Sequence, residues 1–169
     1  DGNYAVAGLV SSSYTFGAVK YGFTVQPQGW ANPVAVEGDM SGLDWTTTAK
    51  PVVSLAPTDP IAREEGLDPA TVTLSRTGPT TSSLTVNYIV SGTAVRDWDY
   101  TQSPPVVSWP ITIAMPAGVS SMDFVITPIS DTEDEGPEVV FFTLAESPNY
   151  VTGPDVEAQV VIDDNDAPT

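Results

Sequence analysis

The chain of 169 residues carries 22 Asp+Glu against 5 Lys+Arg, a formal net charge of −17, and contains neither cysteine nor histidine. That excludes a nucleic-acid surface, because the summed field repels phosphate, and it excludes disulfides, Cys/His zinc sites and Cys- or His-based nucleophilic relays. A hydrophobic fraction of 41% still supplies a packed core, and no apolar run approaches the roughly 20 residues of a membrane span.

Residues 1–48 are expected to carry short strands at Tyr4–Leu9, Ser13–Val19, Phe23–Gln26, Val34–Glu37 and Leu43–Thr48. This stretch is aromatic (Tyr4, Tyr14, Phe16, Tyr21, Phe23, Trp30, Trp45) and poor in acids. About 50 residues is near the lower limit for a stable all-β core without staples. The segment is therefore expected to pack on a neighbour or to belong to a domain whose other strands lie elsewhere. No leader precedes Asp1, so the chain is expected to be a mature or excised piece of a larger one.

Pro51 marks the expected boundary, dividing the chain into domains 1–48 and 49–169. Beyond it, apolar residues alternate with polar ones: Val72 and Leu74; Leu84, Val86, Tyr88 and Val90; Phe124 and Ile126; Val140, Phe142 and Leu144; Ala158, Val160 and Ile162. Turn signals separate these runs at 65–69, 77–79, 91–92, 116–118 and 135–137. Period-two strands at this spacing, with no helical pattern between them, predict an all-β fold: an antiparallel β-sandwich of immunoglobulin-like kind.

The acids of this part fall at four places: Glu64-Glu65, Asp97-Trp98-Asp99, the run Asp131 to Glu138, and Asp163-Asp164-Asn165-Asp166. Several lie at expected strand ends, where a sandwich brings distant loops together at one pole. Calcium takes roughly six to eight hard oxygen ligands, which carboxylates on converging loops supply. Softer metals lack their nitrogen and sulfur ligands here.

With these landmarks in place, residues 51–166 resemble a Calx-β domain, a calcium-binding sandwich. The motifs that carry the resemblance are Val53-Ser54-Leu55, Glu65-Gly66 leading into Thr71 to Gly78, Leu84-Thr85-Val86-Asn87-Tyr88 and Gly92-Thr93-Ala94 with Asp99-Tyr100. They continue with Pro116-Ala117-Gly118, Glu135-Gly136-Pro137-Glu138, and Val160 to Ile162 with Asp164-Asn165-Asp166. The resemblance implies calcium (Ca2+) ligands at Glu65, Asp99, Asp131, Glu135, Glu138, Asp164, Asn165 and Asp166. Ser130, Thr132 and Asn165 stand where the most calcium-avid members carry Asp, which implies fewer ions or weaker binding. Residues 1–48 resemble the later part of a carboxypeptidase-regulatory-like (transthyretin-like) sandwich, through Asp1-Gly2-Asn3-Tyr4, Tyr21-Gly22-Phe23 and Gly42-Leu43-Asp44-Trp45.

The resulting expectation is a non-catalytic calcium-binding structural module of a secreted or surface-displayed bacterial adhesin or matrix protein. Its partners would be neighbouring domains or further copies of the same protein, joined by strand exchange into a filament. Without calcium the carboxylates would repel and the loops stay mobile; with it they would stiffen. The alternative is a carbohydrate-binding module using Trp30, Trp45, Trp98 and Trp109 against a polysaccharide. No Gly-rich phosphate loop or nucleophile elbow points to an enzyme.

Overall fold

The computed structural model describes residues 5–37, 40–106 and 110–166. The chain divides into two compact units, 1–49 and 50–169.

In the first unit, β1 (Ser12–Tyr14) pairs antiparallel with β3 (Val34–Val36), and β2 (Phe23–Gln28) pairs antiparallel with β4 (Asp44–Ala49). The second ribbon sets Phe23, Val25 and Pro27 on the same face as Trp45, through the pairing of Pro27 with Trp45. Trp30 packs edge-on against Trp45 at 5.1 Å, and its indole N–H donates to the Asp44 carbonyl at 2.8 Å. None of the described residues of this unit is buried.

Two expected strands differ here. Residues 5–9 form no strand, and Tyr4 lies outside the described residues. Gly8, at a φ of 77°, takes a left-handed turn that extended pairing does not tolerate. The strand expected to reach Val19 stops at Tyr14, because the Asn32 side chain takes the backbone of Phe16. Its Oδ1 accepts the Phe16 N–H at 3.1 Å and its Nδ2 donates to the Phe16 carbonyl at 2.7 Å.

The second unit is a sandwich of two five-stranded sheets. One is built, in spatial order, from β10 (Thr112–Met115), β8 (Leu84–Gly92), β12 (Glu138–Leu144), β14 (Glu157–Asp163) and β6 (Ile61–Arg63). The other runs β13 (Val151–Thr152), β5 (Val52–Asp59), β7 (Ala70–Thr77), β11 (Ser121–Pro128), β9 (Tyr100–Ser103). Pairing is antiparallel except at one edge of each sheet, where β13 joins β5 and β6 joins β14 in parallel. The opening strand thus serves both sheets. Its register slips between Pro57 and Asp59, and beyond Pro60 the chain continues as β6 in the facing sheet.

The core follows the period of two. Val72 and Leu74 of β7, with Phe124 and Ile126 of β11, meet Val86 and Tyr88 of β8 and Val140 and Phe142 of β12. Phe124 and Phe142 stack at 5.4 Å and 9°, and Tyr88 packs against Phe124 at 5.0 Å. Near the end of the chain, β14 closes the same core through Ala158, Val160 and Ile162. At about 25 cal/mol per Å² of apolar surface, such fully buried side chains stabilise by roughly 1.5–3 kcal/mol each.

One inward position of β7 is not apolar. Arg76 is 3% exposed, and its guanidinium donates to the carbonyls of Val119 (2.7 Å), Pro116 (2.8 Å), Ser82 (3.1 Å) and Thr80 (3.5 Å). It ties two loops together at one end of the sandwich. The acids gather at the other end, as the register requires: Ala70 pairs with Ile126 there, whereas Ser75 pairs with Ser121 at the Arg76 end.

Candidate metal centre

Four loops meet at the acidic end. Glu64 donates its backbone N–H to the Asp163 carbonyl (3.1 Å), linking the turn after β6 to the end of β14. Ile129 donates to the Asp99 carbonyl (2.8 Å), linking the turn before β9 to the loop after β11. Gly92, at a φ of 139°, lets β8 run against the start of β12, where a Cβ would lie 2.0 Å from the Val139 carbonyl oxygen. Thr93 and Ala94 donate their N–H groups to that oxygen at 3.0 and 3.2 Å, and the Thr93 hydroxyl accepts the Val139 N–H at 3.0 Å.

These links bring six carboxylates into two groups of three: Glu64, Asp164 and Asp166, and Asp99, Glu135 and Glu138. Within each group one oxygen per residue lies within 4.8 Å of the others. Glu64 is 8% exposed, and its Oε2, like the Oδ2 of Asp166, is buried without a hydrogen-bond partner. Burial first, then the charges of Asp164, Asp131, Asp166 and Glu135, push the Glu64 carboxyl above its usual range. Glu138 is pushed up to about 7, by burial and then by its hydrogen bond to, and repulsion from, Asp99. Glu135 is raised chiefly by Asp99.

Asp164 behaves in the opposite way. Its Oδ2 accepts the N–H groups of Glu135 (2.8 Å) and Gly136 (2.9 Å), and its Oδ1 accepts that of Asp166 (2.7 Å). These backbone donors hold it below the ordinary carboxylate range. The arginines at this end are engaged at its rim: Arg63 with Asp68 (3.1 Å) and Asp163 (3.9 Å), Arg96 with Asp97 (3.8 Å). Among the described residues, no ion pair reaches the six grouped carboxylates.

Crowded carboxylates with raised pKa values, orphaned buried oxygens and no neutralising side chain fit a hard divalent cation, which is satisfied by oxygen ligands alone. Glu64, Asp164 and Asp166 would hold one such ion, and Asp99, Glu135 and Glu138 another.

Of the residues singled out from the sequence, Asp99, Glu135 and Glu138 come together, as do Asp164 and Asp166. Asp131 belongs to neither group; its Oδ1 accepts the Glu133 N–H at 2.8 Å, and its charge acts on Glu64 and Glu135. Asn165 is exposed. Glu65 belongs to neither group: it opens a 3-10 turn and faces solvent, while its neighbour Glu64, in alternation with inward Ala62, turns inward and joins Asp164 and Asp166.

Trp30 and Trp45 are half-buried against each other, Trp98 is 76% exposed beside Asp99, and Trp109 lies outside the described residues.

No family model matches the chain, and no curated protein does. Among solved structures, the chain is similar to the apo-form Calx CBD1 domain, at a TM-score of 0.53 and 24% identity over 69% of this chain and 99% of that one. It is also similar to CBD12 from CALX1.2, at a TM-score of 0.53 and 22% identity over 68% of this chain and 46% of that one. A third similar structure is the calcium binding domain CBD12 of CALX1.1, at 0.52 and 24%, covering 68% and 44%. The chain thus spans less than half of either CBD12 structure. At these identities the likeness establishes the fold: a Calx-β-like all-β sandwich.

Proposed function

We propose that the second unit is a non-catalytic, calcium-binding structural module. The observation that carries this reading is the pair of three-carboxylate groups at one end of the sandwich, with Glu64 buried and one of its oxygens unpartnered. The similar structures include one named as a calcium binding domain, which supports the choice of ion. Calcium would supply the positive charge that the side chains lack and tie together four loops from both sheets. Binding to the native state alone adds about 4 kcal/mol of stability at a thousandfold excess over Kd. Thermal unfolding of the whole chain in EDTA and in millimolar calcium tests the reading: the midpoint rises with calcium, and equal midpoints sink it.

A secreted or surface-displayed adhesin or matrix protein is the setting this reading favours, because weak calcium sites fill at extracellular concentrations. The first unit suggests how such a protein would assemble. Its two ribbons have open edges, and its described residues include none that is buried. Strand addition from a further copy would cover them and propagate a filament. Monodisperse particles at high concentration in negative-stain images would count against assembly. Polysaccharide binding is the second reading, favoured by the exposed Trp98 beside the acids; loss of glycan-array signal in Trp98→Ala would support it, and a blank array for the wild-type chain would remove it.

A further inference from the structure

Asp164 is placed unlike the other five carboxylates. A carboxylate offers about four lone-pair positions, and three hydrogen bonds to backbone N–H groups already occupy Asp164. Two of these donors, Glu135 and Gly136, are consecutive residues of the loop before β12, and both point at the same oxygen. The left-handed φ of 69° at Gly136 accompanies this arrangement, a small anion-holding nest of the kind successive N–H groups form. The side chain of Glu135 belongs to the group with Asp99 and Glu138, whereas Asp164 itself sits with Glu64 and Asp166. One residue of the first group thus grips the backbone of a residue of the second. Independently, the nine-tenths-buried Glu64 brings an unpartnered oxygen into the first group, which marks that group as a ligand site.

We propose that Asp164 is a positioning residue that latches the 133–138 loop to the end of β14 and couples the two carboxylate groups, so that cation binding at one sets the affinity of the other. The inference rests on the reading of this end as a cation site. It differs from the expectation of loops freed by repulsion, because the latch consists of hydrogen bonds that need no cation. Its strength comes from charge: N–H donors to an ionised carboxylate make bonds about twice as strong as neutral ones.

Two measurements on the full chain decide it. In EDTA, the amides of Glu135, Gly136 and Asp166 are protected from hydrogen exchange, and Asp164→Asn speeds their exchange at least tenfold. Terbium supplies the second readout, since Trp98 neighbours Asp99 and sensitises an ion held by the second group. Asp164→Asn and Glu64→Gln each weaken the Trp98-sensitised affinity tenfold or more, although neither residue belongs to that group. Asp123→Asn, an exposed acid outside both groups, leaves it unchanged, and Trp98→Phe removes the signal. Unprotected amides in the wild-type chain, or exchange unaltered by Asp164→Asn, would overturn the latch. Sensitised affinity unaltered by either variant would overturn the coupling. Failure of the wild-type chain to bind terbium or calcium would sink the cation-site reading itself, while exchange in EDTA still decides the latch.

Discussion

At one end of the sandwich the buried guanidinium of Arg76 is saturated by carbonyl oxygens from two loops; at the other, six carboxylates from four loops are grouped, and no ion pair among the described residues reaches them. The positions lie about six residues apart along β7, or roughly 20 Å, on the same scaffold of stacked sheets. At the Arg76 end, donors and acceptors match within the chain, so that end is complete as folded. At the acidic end Asp164 is matched by three backbone donors and Asp99 by the Val95 N–H, while Glu64, Glu135 and Glu138 retain their protons more strongly than usual. The difference separates a structural clamp from a candidate binding site: both are charged, but one leaves nothing for a ligand to satisfy.

The comparison is broken most directly by removing the clamp. Arg76→Met strips a charged donor from several buried carbonyls and is expected to cost about 3 kcal/mol. Urea unfolding should give the same loss with and without calcium, and a calcium-dependent loss would show that the two ends are not independent. At the acidic end, Glu64→Gln replaces an unpaired buried carboxylate with a neutral amide that can donate to its neighbours. It is expected to stabilise the metal-free protein by about 1 kcal/mol and to shrink the calcium-induced rise in melting temperature. A variant that lost metal-free stability instead would contradict the charge-crowding account.

The smallest expected effect is the pH dependence. Burial and the neighbouring Asp99 push Glu138 up to about 7 from an ordinary value of 4.5, and Glu64 and Glu135 shift the same way. Between about pH 4.5 and 7 the native state therefore holds protons that the unfolded chain has released. Metal-free stability falls as pH rises through that window. Asp164 acts oppositely, its contribution being lost only as pH falls below its ordinary 3.8. Melting curves in EDTA at pH 5 and pH 7.5 measure the trend, and Glu138→Gln should flatten it.

Much of the second unit was legible because alternation is a local signal. The runs around Val72, Val86, Phe124, Val140 and Val160 became β7, β8, β11, β12 and β14, each with its expected apolar face inward. The short edge strands β6, β10 and β13 carry too few residues to show a period, and their pairing is a property of the sheet. The first unit misled where side-chain chemistry intervened, as when Asn32 took the backbone of Phe16 that a strand would have used.

The site divides in the same way. Residue types and their strand-end positions determined that carboxylates would dominate and that hard oxygen ligands were the chemistry on offer, because those properties belong to individual residues. Which carboxylates meet was decided only by the tertiary structure. The crossing of β6 into the second sheet sets the parity that turns Glu64 inward and Glu65 out. The approach of the 133–138 loop to β14 gives Asp164 its backbone donors and leaves Asn165 in solvent. Charge is written in the sequence, but its distances and burial arise from long-range packing, and those decide which acid is matched and which awaits a cation.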